Sequence, residues 1–362
     1  MINGHSPLPP ARLPGVDEGF EQRLIDGIRP IAELFLASCL HHLFASGVYD
    51  ALNKADGPSE IEALAEDLDL DTERLTGLLL FLANEGVVTV QGGRTALGAK
   101  AHSYAEFRSW YTFFVGGYAG TVGQMGGAMR RGAPFCTREG RDVGTGSCEI
   151  AHYDGMPMMH TLLTDAGLEP ACLLDLGCGD AQYLIDLCRR MPGATAWGAE
   201  PDPDAFEQAR RNIEAEGLGD RITLVNASAE SFLADPPTGC APDTIVFGYV
   251  LQEVLGQQGE KAVLQMLGSL LRAFPDIDIV VIEVDQKVTD PSVMRHGLAR
   301  NFWNLYYLLH VFTNQHLETR PFWEDLFERA GLECRAAVTT PSSVDSSGVE
   351  LGYLLRGRGL RT

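Results

Sequence analysis

The fold of this chain is decided by the segment Leu173-Leu174-Asp175-Leu176-Gly177-Cys178-Gly179-Asp180. Its first four residues have the character of a buried strand, and they lead directly into a glycine turn. Apolar residues at helical spacing follow from Tyr183 to Arg189. Glycines let the backbone bend tightly and let a ligand approach it closely, because they have no Cβ. The segment therefore predicts a strand, a turn and a helix that hold a nucleotide-like cofactor.

The charges around this turn discriminate between cofactors. A dinucleotide-binding turn has three glycines and places a pyrophosphate at the helix N-terminus. Here Gln182 stands at the third glycine position, and the Asp180 carboxylate would repel an anion. Asp175 and Asp180 instead suit a cationic cofactor. A further acid, Glu200, ends the next predicted strand 25 positions after Asp175.

An acid two positions before G-x-G resembles motif I of the class I S-adenosylmethionine (SAM) methyltransferases. In that family the acid at the end of the second strand binds both ribose hydroxyls, so the resemblance implies this role for Glu200. The alternative interpretation is a generic βαβ unit with an incidental glycine turn. The cofactor-binding residues predicted from the resemblance are Asp175, Gly177, Gly179, Glu200, Pro201, Asn226, Ser228 and Gly248.

The chain departs from the family after the third strand. The family has Gly-Asp there, and its aspartate reaches the adenine amine, whereas this chain has Val225-Asn226-Ala227-Ser228. Either Asn226 or Ser228 could accept that hydrogen bond. In the alternative interpretation both residues cap the helix that starts near Ala229.

Strands and helices alternate after residue 166, which predicts a doubly wound α/β domain. The resemblance implies the Rossmann-like, seven-stranded class I methyltransferase sheet over residues 166–362. The predicted strands are residues 172–176, 194–199, 222–225, 244–248, 277–284, 333–338 and 350–355.

The N-terminal third has the outline of a winged helix. A long amphipathic helix from residue 20, a helix opened by Pro58-Ser59-Glu60, a third helix and a hairpin at residues 87–97 follow one another. DNA binding would need a basic recognition helix, yet residues 69–85 hold four acids and one arginine.

The outline instead resembles the dimerisation domain of plant-type O-methyltransferases, which implies a homodimer. We therefore assign residues 20–105 to a mainly helical, winged-helix-like dimerisation domain. Residues 1–19 are predicted to be a disordered tail. Residues 106–165 are predicted to be a helical connector that lines the pocket, although their glycine pairs are poor helix formers.

The amino-acid composition limits the classes of partner that this protein can bind. A formal net charge of −21 on 362 residues repels nucleic acid and anionic lipid. The longest apolar runs are too short to span a membrane, and the N-terminus lacks the pattern of a signal peptide. Eight cysteines lie scattered without metal-ligand spacing. These features predict reduced thiols, a cytoplasmic location and a small-molecule substrate.

The residues after the fourth strand bear on catalysis. Plant-type O-methyltransferases have a histidine there that deprotonates the substrate hydroxyl, and this chain has Gln252 at that position. Glutamine cannot act as a base. This substitution argues against phenol O-methylation and leaves Glu253 as the nearest carboxylate. In the alternative interpretation Glu253 is a solvated residue at the opening of the next helix.

A second catalytic candidate is His310, which ends an aromatic helix beginning near Asn301. The two-domain plan resembles that of bacterial 2-oxo acid C-methyltransferases, in which a histidine of this region lies in the active site. Iron-dependent members bind metal through this histidine and the one after strand four. Only one of the two is present here, so we predict no metal, with His310 as the ligand if one were bound. The alternative is a histidine that is hydrogen-bonded within a buried helix.

The leading hypothesis is SAM-dependent methylation of C3 of a 2-oxo acid, with His310, Glu253 and Gln252 as catalytic candidates. The opening segment Phe20-Glu21-Gln22-Arg23-Leu24-Ile25-Asp26 resembles bacterial ketoarginine methyltransferases, which methylate 5-guanidino-2-oxopentanoate. Glu253, Glu283 and Asp285 would suit such a cationic tail. One alternative is an O-methyltransferase of a natural-product scaffold, and another is a non-catalytic SAM-binding regulator. The predicted substrate pocket contains Tyr111, Tyr118, Phe302 and Tyr306.

Overall fold

The computed structural model describes residues 17–358. The predicted tail, residues 1–19, lies outside the described residues except for its last three positions. The chain divides into two compact units, Met1–Tyr111 and Thr112–Thr362.

The N-terminal unit is mainly helical and contains one small sheet with the strand order β1-β3-β2. Its elements are α1 (Phe20–Ala45), α2 (Val48–Lys54), β1 (Ser59–Glu60), α3 (Ile61–Asp67), α4 (Thr72–Asn84), β2 (Val88–Gln91), β3 (Arg94–Leu97), α5 (Ala101–Ala105) and α6 (Arg108–Tyr111).

Local chemistry explains these boundaries. Asp71 caps α4, since its side chain accepts a hydrogen bond from the Arg74 amide at 2.9 Å. Ser59 and Glu60, which the sequence predicted to open a helix, form β1 instead. Arg94 holds them in place, because its guanidinium donates to the Pro58 carbonyl and lies 3.2 Å from the Glu60 carboxylate. The other predicted helices and the hairpin are present.

One face of α1 is apolar and exposed. Its residues recur at helical spacing and are between 39% and 61% exposed: Phe20, Leu24, Ile25, Ile28, Ile31, Leu34 and Phe35. No single helix within residues 17–358 has both the length and the apolar content to cross a bilayer. Only α1 and α2 taken together, with a bend of 63° between them, meet those two criteria.

The C-terminal unit opens with helices and continues as a doubly wound sheet. A π-helical turn at Thr112–Gly116 precedes α7 (Ala119–Ala128), α8 (Gly140–Ala151) and α9 (Gly155–Asp165). The helices that follow are α10 (Gln182–Arg190), α11 (Pro203–Ala215), α12 (Ala229–Ala234), α13 (Leu251–Gln258), α14 (Glu260–Ala273), α15 (Pro291–Met294), a second π-helical turn at Ala299–Trp303, α16 (Asn304–Phe312) and α17 (Arg320–Arg329).

The sheet has the seven strands that the sequence predicted. They are β4 (Cys172–Leu176), β5 (Thr195–Ala199), β6 (Ile222–Val225), β7 (Thr244–Gly248), β8 (Asp278–Val284), β9 (Leu332–Thr339) and β10 (Glu350–Gly357). Their order is β6-β5-β4-β7-β8-β10-β9, and β10 runs antiparallel to both of its neighbours. The connections change direction between β4 and β7, so the carboxyl ends of these strands form the crevice in which such sheets bind ligands.

Alternation along the strands builds a core on each face of the sheet. Leu174 and Leu176 pack with Trp323 and Phe327 on one face, whereas Leu173 packs with α9 and α10 residues on the other. All residues of β8 are buried.

Glycine in α8 has a packing role that composition alone does not show. The sequence indicated poor helix material at Gly144 and Gly146, yet both lie within α8. A Cβ on Gly146 would lie 2.6 Å from the Phe113 amide nitrogen and 2.7 Å from its Cβ. The absence of a side chain at this position lets α8 contact the first π-helical turn backbone to backbone.

We expect Gly146→Ala to destabilise the protein by about 1–3 kcal/mol, because the new methyl group overpacks this contact. Gly144→Ala is the matched control. It lies on the same helix with open space around it, so it should stabilise by about 0.5–1 kcal/mol. Thermal unfolding of the two variants checks both signs, and equal melting temperatures would contradict the packing role of Gly146.

Candidate active site

The glycine turn lies at the carboxyl end of β4. Gly177 and Gly179 have φ values of 89° and 54°, in the left-handed region that favours glycine. The Gly177 amide donates to the Ala199 carbonyl at 2.8 Å, which ties the turn to the end of β5. A Cβ on Gly177 would lie 3.2 Å from Val250, so the turn passes close to the segment after β7.

Three acids surround this turn and are buried: Asp175, Asp180 and Glu200. Glu200 accepts hydrogen bonds from the Gly179 and Asp202 amides at 3.0 and 2.9 Å. Burial, together with the charges of Glu200 and Asp180, raises the pKa of Asp175 to about 8. Burial likewise raises the pKa of Asp180 to about 6. Its Oδ1 has no hydrogen-bond partner within residues 17–358. This buried acidic turn, with the Asp180 Oδ1 unpartnered, fits a cationic cofactor.

The other predicted cofactor residues divide by role. Ser228 caps α12, accepting from the Ser231 amide at 3.2 Å, so its hydroxyl already has a structural function. Asn226 donates its side-chain amide to the Glu200 carbonyl at 2.8 Å, while its Oδ1 is left to accept a hydrogen bond. Pro201 is exposed beside Glu200, and a Cβ on Gly248 would lie 3.3 Å from the Tyr183 ring.

The structure brings His310 and Gln252 together with Tyr306. The Gln252 Nε2 lies 2.8 Å from the Tyr306 hydroxyl and 3.4 Å from the His310 Nε2. The His310 Nδ1 lies 2.7 Å from the Tyr306 carbonyl oxygen, which can only accept, so Nδ1 bears the hydrogen. Burial, together with the charge of Arg138, lowers the pKa of His310 to about 3. The imidazole is therefore neutral at pH 7, and the lone pair of its Nε2 faces the Gln252 side-chain amide, which donates to it at 3.4 Å.

Glu253 is partly exposed, and its carboxylate is paired within the protein. Its carboxylate pairs with Arg138 at 2.7 Å and accepts from the Gln315 side chain at 2.9 Å. Tyr118, a predicted pocket residue, is buried and hydrogen-bonds to Arg138. Glu253 and Tyr118 thus position this arginine.

A cavity of about 40 Å³ lies beside this cluster. Phe302 and Tyr306, both predicted from the sequence, line it together with Phe113, Tyr249 and Trp303. Helix α8 contributes Ser147 and Ile150, and the N-terminus of α9 contributes Asp154. Because α8 also carries Cys148, which hydrogen-bonds to Asp180, the same helix borders the cavity and the glycine turn.

Some sequence predictions fall elsewhere. Tyr111 belongs to the N-terminal unit, where it packs against Phe44 and Tyr104. Glu283 is fully buried and accepts from the Gln252 amide, and Asp285 pairs with Lys287 at 3.2 Å. These two acids, like Glu253, are therefore engaged within the protein.

Sequence reasoning missed Arg138, Asp154 and Tyr249. Tyr249 has φ 59°, which is rare for a residue with a Cβ and is often found at functional sites. No sequence signal marked Arg138. The pair Asp154-Gly155 is a helix-capping pattern that could have been noticed.

Within the described residues, no group of three or more histidines, cysteines or acids could hold a metal ion.

Comparisons with known proteins show the family to which this chain is similar. Residues 173–273 match the family model described as a methyltransferase domain. The chain is 40% identical to 2-ketoarginine methyltransferase of Streptomyces arginensis, over 95% of this chain and 98% of that protein.

Solved structures show the same fold. Human N-acetylserotonin methyltransferase in complex with SAM has a TM-score of 0.65 at 15% identity, covering 96% of this chain and 99% of that chain. A riboflavin-derivative dimethyltransferase of Streptomyces davawensis has a TM-score of 0.62 at 18% identity, covering 93% and 99%.

We expect the affinity for SAM to rise several-fold from pH 6 to pH 7.5. The free site holds protons on Asp175 and Asp180 because their pKa values are raised, and a bound sulfonium favours the ionised carboxylates. Binding therefore releases protons, and affinity increases with pH. Isothermal titration calorimetry in buffers of different ionisation enthalpy measures both effects.

The control is S-adenosylhomocysteine, which lacks the sulfonium charge and should show a smaller rise. Asp180→Asn should also flatten the dependence on pH. An affinity for SAM that is flat or falls over this range would contradict the role of the acidic turn.

Proposed function

We propose that this chain, which belongs to the SAM-dependent methyltransferase family of 2-ketoarginine methyltransferase, transfers a methyl group to C3 of a 2-oxo acid, namely 5-guanidino-2-oxopentanoate. The chain is a methyltransferase, and its cofactor is SAM, which supplies when bound an electrophilic methyl group on a sulfonium. Asp175, Gly177, Gly179 and Glu200 would hold that cofactor, with the Asn226 side chain as an acceptor for its adenine amine.

The observation that carries the proposal is the neutral imidazole of His310 beside the Tyr306 hydroxyl. C3 of a 2-oxo acid becomes nucleophilic only after it loses a proton, and this loss needs a base and a donor for the enolate oxygen. The His310 Nε2 has the lone pair that a base requires, and in the empty site this lone pair accepts a long hydrogen bond of 3.4 Å from the Gln252 amide. Its low pKa makes it a weak base in the empty site, and the negative charge of an enolate beside it would raise that pKa.

Tyr306 is the donor in this proposal. Its hydroxyl oxygen accepts from Gln252, so its own hydrogen is directed away from that side chain and is available to the 2-oxo oxygen. Gln252 is then a positioning residue, which explains why the base of the O-methyltransferases can be replaced by an amide here. The proton passes from C3 to the His310 Nε2, and the enolate carbon takes the methyl group.

Arg138 supplies the third element of the site, a cation for the substrate carboxylate. Its side chain is 26% exposed, and within residues 17–358 its ion pair is with Glu253. A guanidinium can bind a carboxylate through two parallel hydrogen bonds, which fixes the orientation of the ligand. Glu253 acts in this scheme by holding Arg138 and not as a base.

We also propose that the chain forms a homodimer through α1. The exposed apolar face of that helix, from Phe20 to Phe35, is of the kind that a second copy covers. The resemblance of this unit to O-methyltransferase dimerisation domains supports the same partner.

Eight unpaired cysteines support a reducing, cytoplasmic location.

Incubation with methyl-labelled SAM and a panel of acceptors tests the function. We expect label at C3 of 5-guanidino-2-oxopentanoate, with the same rate in the presence of a chelator because Gln252 stands at the position of one of the two metal-binding histidines. Mass spectrometry and NMR of the product identify the methylated atom. Label only on phenolic acceptors would overturn the proposal and indicate O-methylation.

The matched variants are Tyr306→Phe and Tyr104→Phe. Loss of one donor to a developing oxyanion costs about 10²–10³ in kcat, so Tyr306→Phe should lose at least that order of activity with unchanged SAM affinity. Tyr104 lies in the N-terminal unit, and its variant should keep full activity.

For the dimer, we expect the double variant Leu24→Glu/Ile28→Glu to elute as a monomer, because burying two carboxylates in an apolar interface is unfavourable. Light scattering coupled to size-exclusion chromatography measures the mass. Glu33→Gln, an exposed change on the same helix, should leave the dimer intact. A monomeric parent protein at micromolar concentration would contradict the proposal.

A further inference from the structure

The aromatic cavity contains one charged side chain, and its environment is unusual. Asp154 is the only charged residue among the described residues that line the cavity. It is 6% exposed, and the charge that acts on it comes from another acid, Asp345. Burial and this neighbour raise the pKa of Asp154. A buried carboxylate without a cation is costly to keep charged, so the site favours a ligand that brings a positive charge.

Two further acids, Glu350 and Asp345, lie behind the residues that line the cavity. Glu350 is fully buried and accepts hydrogen bonds from the hydroxyls of Tyr249 and Thr340. Burial and the nearby Asp154 raise the pKa of Glu350. Asp345 accepts from the Trp303 indole at 2.6 Å. Two of these three acids thus hold cavity-lining side chains, and no arginine, lysine or histidine within residues 17–358 forms an ion pair with any of the three.

A second, independent observation points to a hydrogen-bonding ligand in the same place. The hydroxyl of Tyr183 is buried and has no partner within the described residues. It lies against Gly155, where any Cβ would collide with it, beside the Asp154 carboxylate. The Tyr249 hydroxyl donates to Glu350 and retains a lone pair. The Asp154 carboxylate and the Tyr249 hydroxyl oxygen, both from residues that line the cavity, are therefore acceptors that match a group that donates hydrogen bonds.

The volume of the cavity and the aromatic rings that line it fit a planar cation. A cavity needs about 10–15 Å³ to hold one water molecule, so about 40 Å³ holds a group of roughly three or four heavy atoms. A guanidinium has four heavy atoms, five N–H donors when it is substituted once, and flat faces that stack on aromatic rings. Phe302 and Trp303, with ring centroids 4.4 Å apart, supply such rings.

The cavity adjoins the reaction centre through Tyr306. Its ring lines the cavity, while its hydroxyl contacts Gln252 and its ring lies 3.8 Å from the imidazole of His310. In 5-guanidino-2-oxopentanoate, five bonds separate the 2-oxo carbon from the guanidinium carbon. A substrate whose oxo group meets the Tyr306 hydroxyl can therefore lay its side chain along the same tyrosine ring.

We propose that this cavity is the side-chain subsite of the enzyme and that Asp154 selects a guanidinium over an uncharged group of the same shape. The inference rests on the proposed function and names the residue that confers its specificity. Asp154 is a binding residue here in addition to its role as the cap of α9, in which its Oδ1 accepts from the Gly155 amide at 2.5 Å.

The test compares two substrates, 5-guanidino-2-oxopentanoate and 5-ureido-2-oxopentanoate, which has the same shape without the charge. The unaltered enzyme should prefer the guanidino acid by at least 100-fold in kcat/KM. Asp154→Asn should reduce that preference by at least 30-fold, mainly through a higher KM for the guanidino acid. Its kcat/KM for the ureido acid should fall far less than that for the guanidino acid, because the ureido group brings no charge to the site. Asparagine caps helices as well as aspartate does, so α9 should remain intact.

Asp165→Asn is the control, because it removes the same charge from the exposed end of α9. It should leave kcat/KM unchanged for both substrates. SAM affinity reports whether each variant is folded. If Asp154→Asn loses SAM binding, Asp154→Ser, which also retains a cap, carries the same expectation.

The outcomes separate the two proposals. If the parent enzyme methylates the guanidino acid and Asp154→Asn and Asp154→Ser keep its full preference over the ureido acid, the subsite is refuted while the function stands. If the parent enzyme methylates no 2-oxo acid, the function itself fails and the subsite with it.

Discussion

The carboxylates of Asp175, Asp180 and Glu200 crowd one edge of the sheet, and those of Asp154 and Glu350 lie near it, all of them buried. Parallel strands deliver their carboxyl ends to the same edge, so acids that follow the strands are forced together. Desolvation then raises the pKa values of all five groups. Such an arrangement is stable with protons or with cations bound. Both the cofactor turn and the aromatic cavity derive their selectivity from this constraint.

Much of the fold could be predicted, because its signals are local. The segment from Leu173 to Asp180 combines an apolar strand with glycines that the observed positive φ values require. The central strands β4, β7 and β8 carry the buried pattern that a two-sided sheet imposes. His310 and Gln252 were identified by their order relative to the strands. Their mutual contact through Tyr306 follows from the same topology.

The rest could not be predicted, because it depends on contacts between residues far apart in sequence. Arg138 meets Glu253 across more than a hundred positions, and nothing near Arg138 indicates that contact. Asp154 has the sequence context of an ordinary helix cap, and only the aromatic residues packed around it give it another role. Ser59 and Glu60 pair as a strand because Arg94 is opposite them. Gly146 lies in a helix because the backbone of Phe113 is too close for a side chain.

Helix α8 borders both the aromatic cavity and the glycine turn, because consecutive residues on it face one or the other. Ser147 faces the cavity, Cys148 contacts Asp180 at the glycine turn, and Gly146 fixes the helix against Phe113, which itself lines the cavity. The helix therefore cannot shift by a fraction of an ångström at one site without moving the wall of the other. A substitution that displaces α8 would therefore alter the glycine turn and the aromatic cavity together.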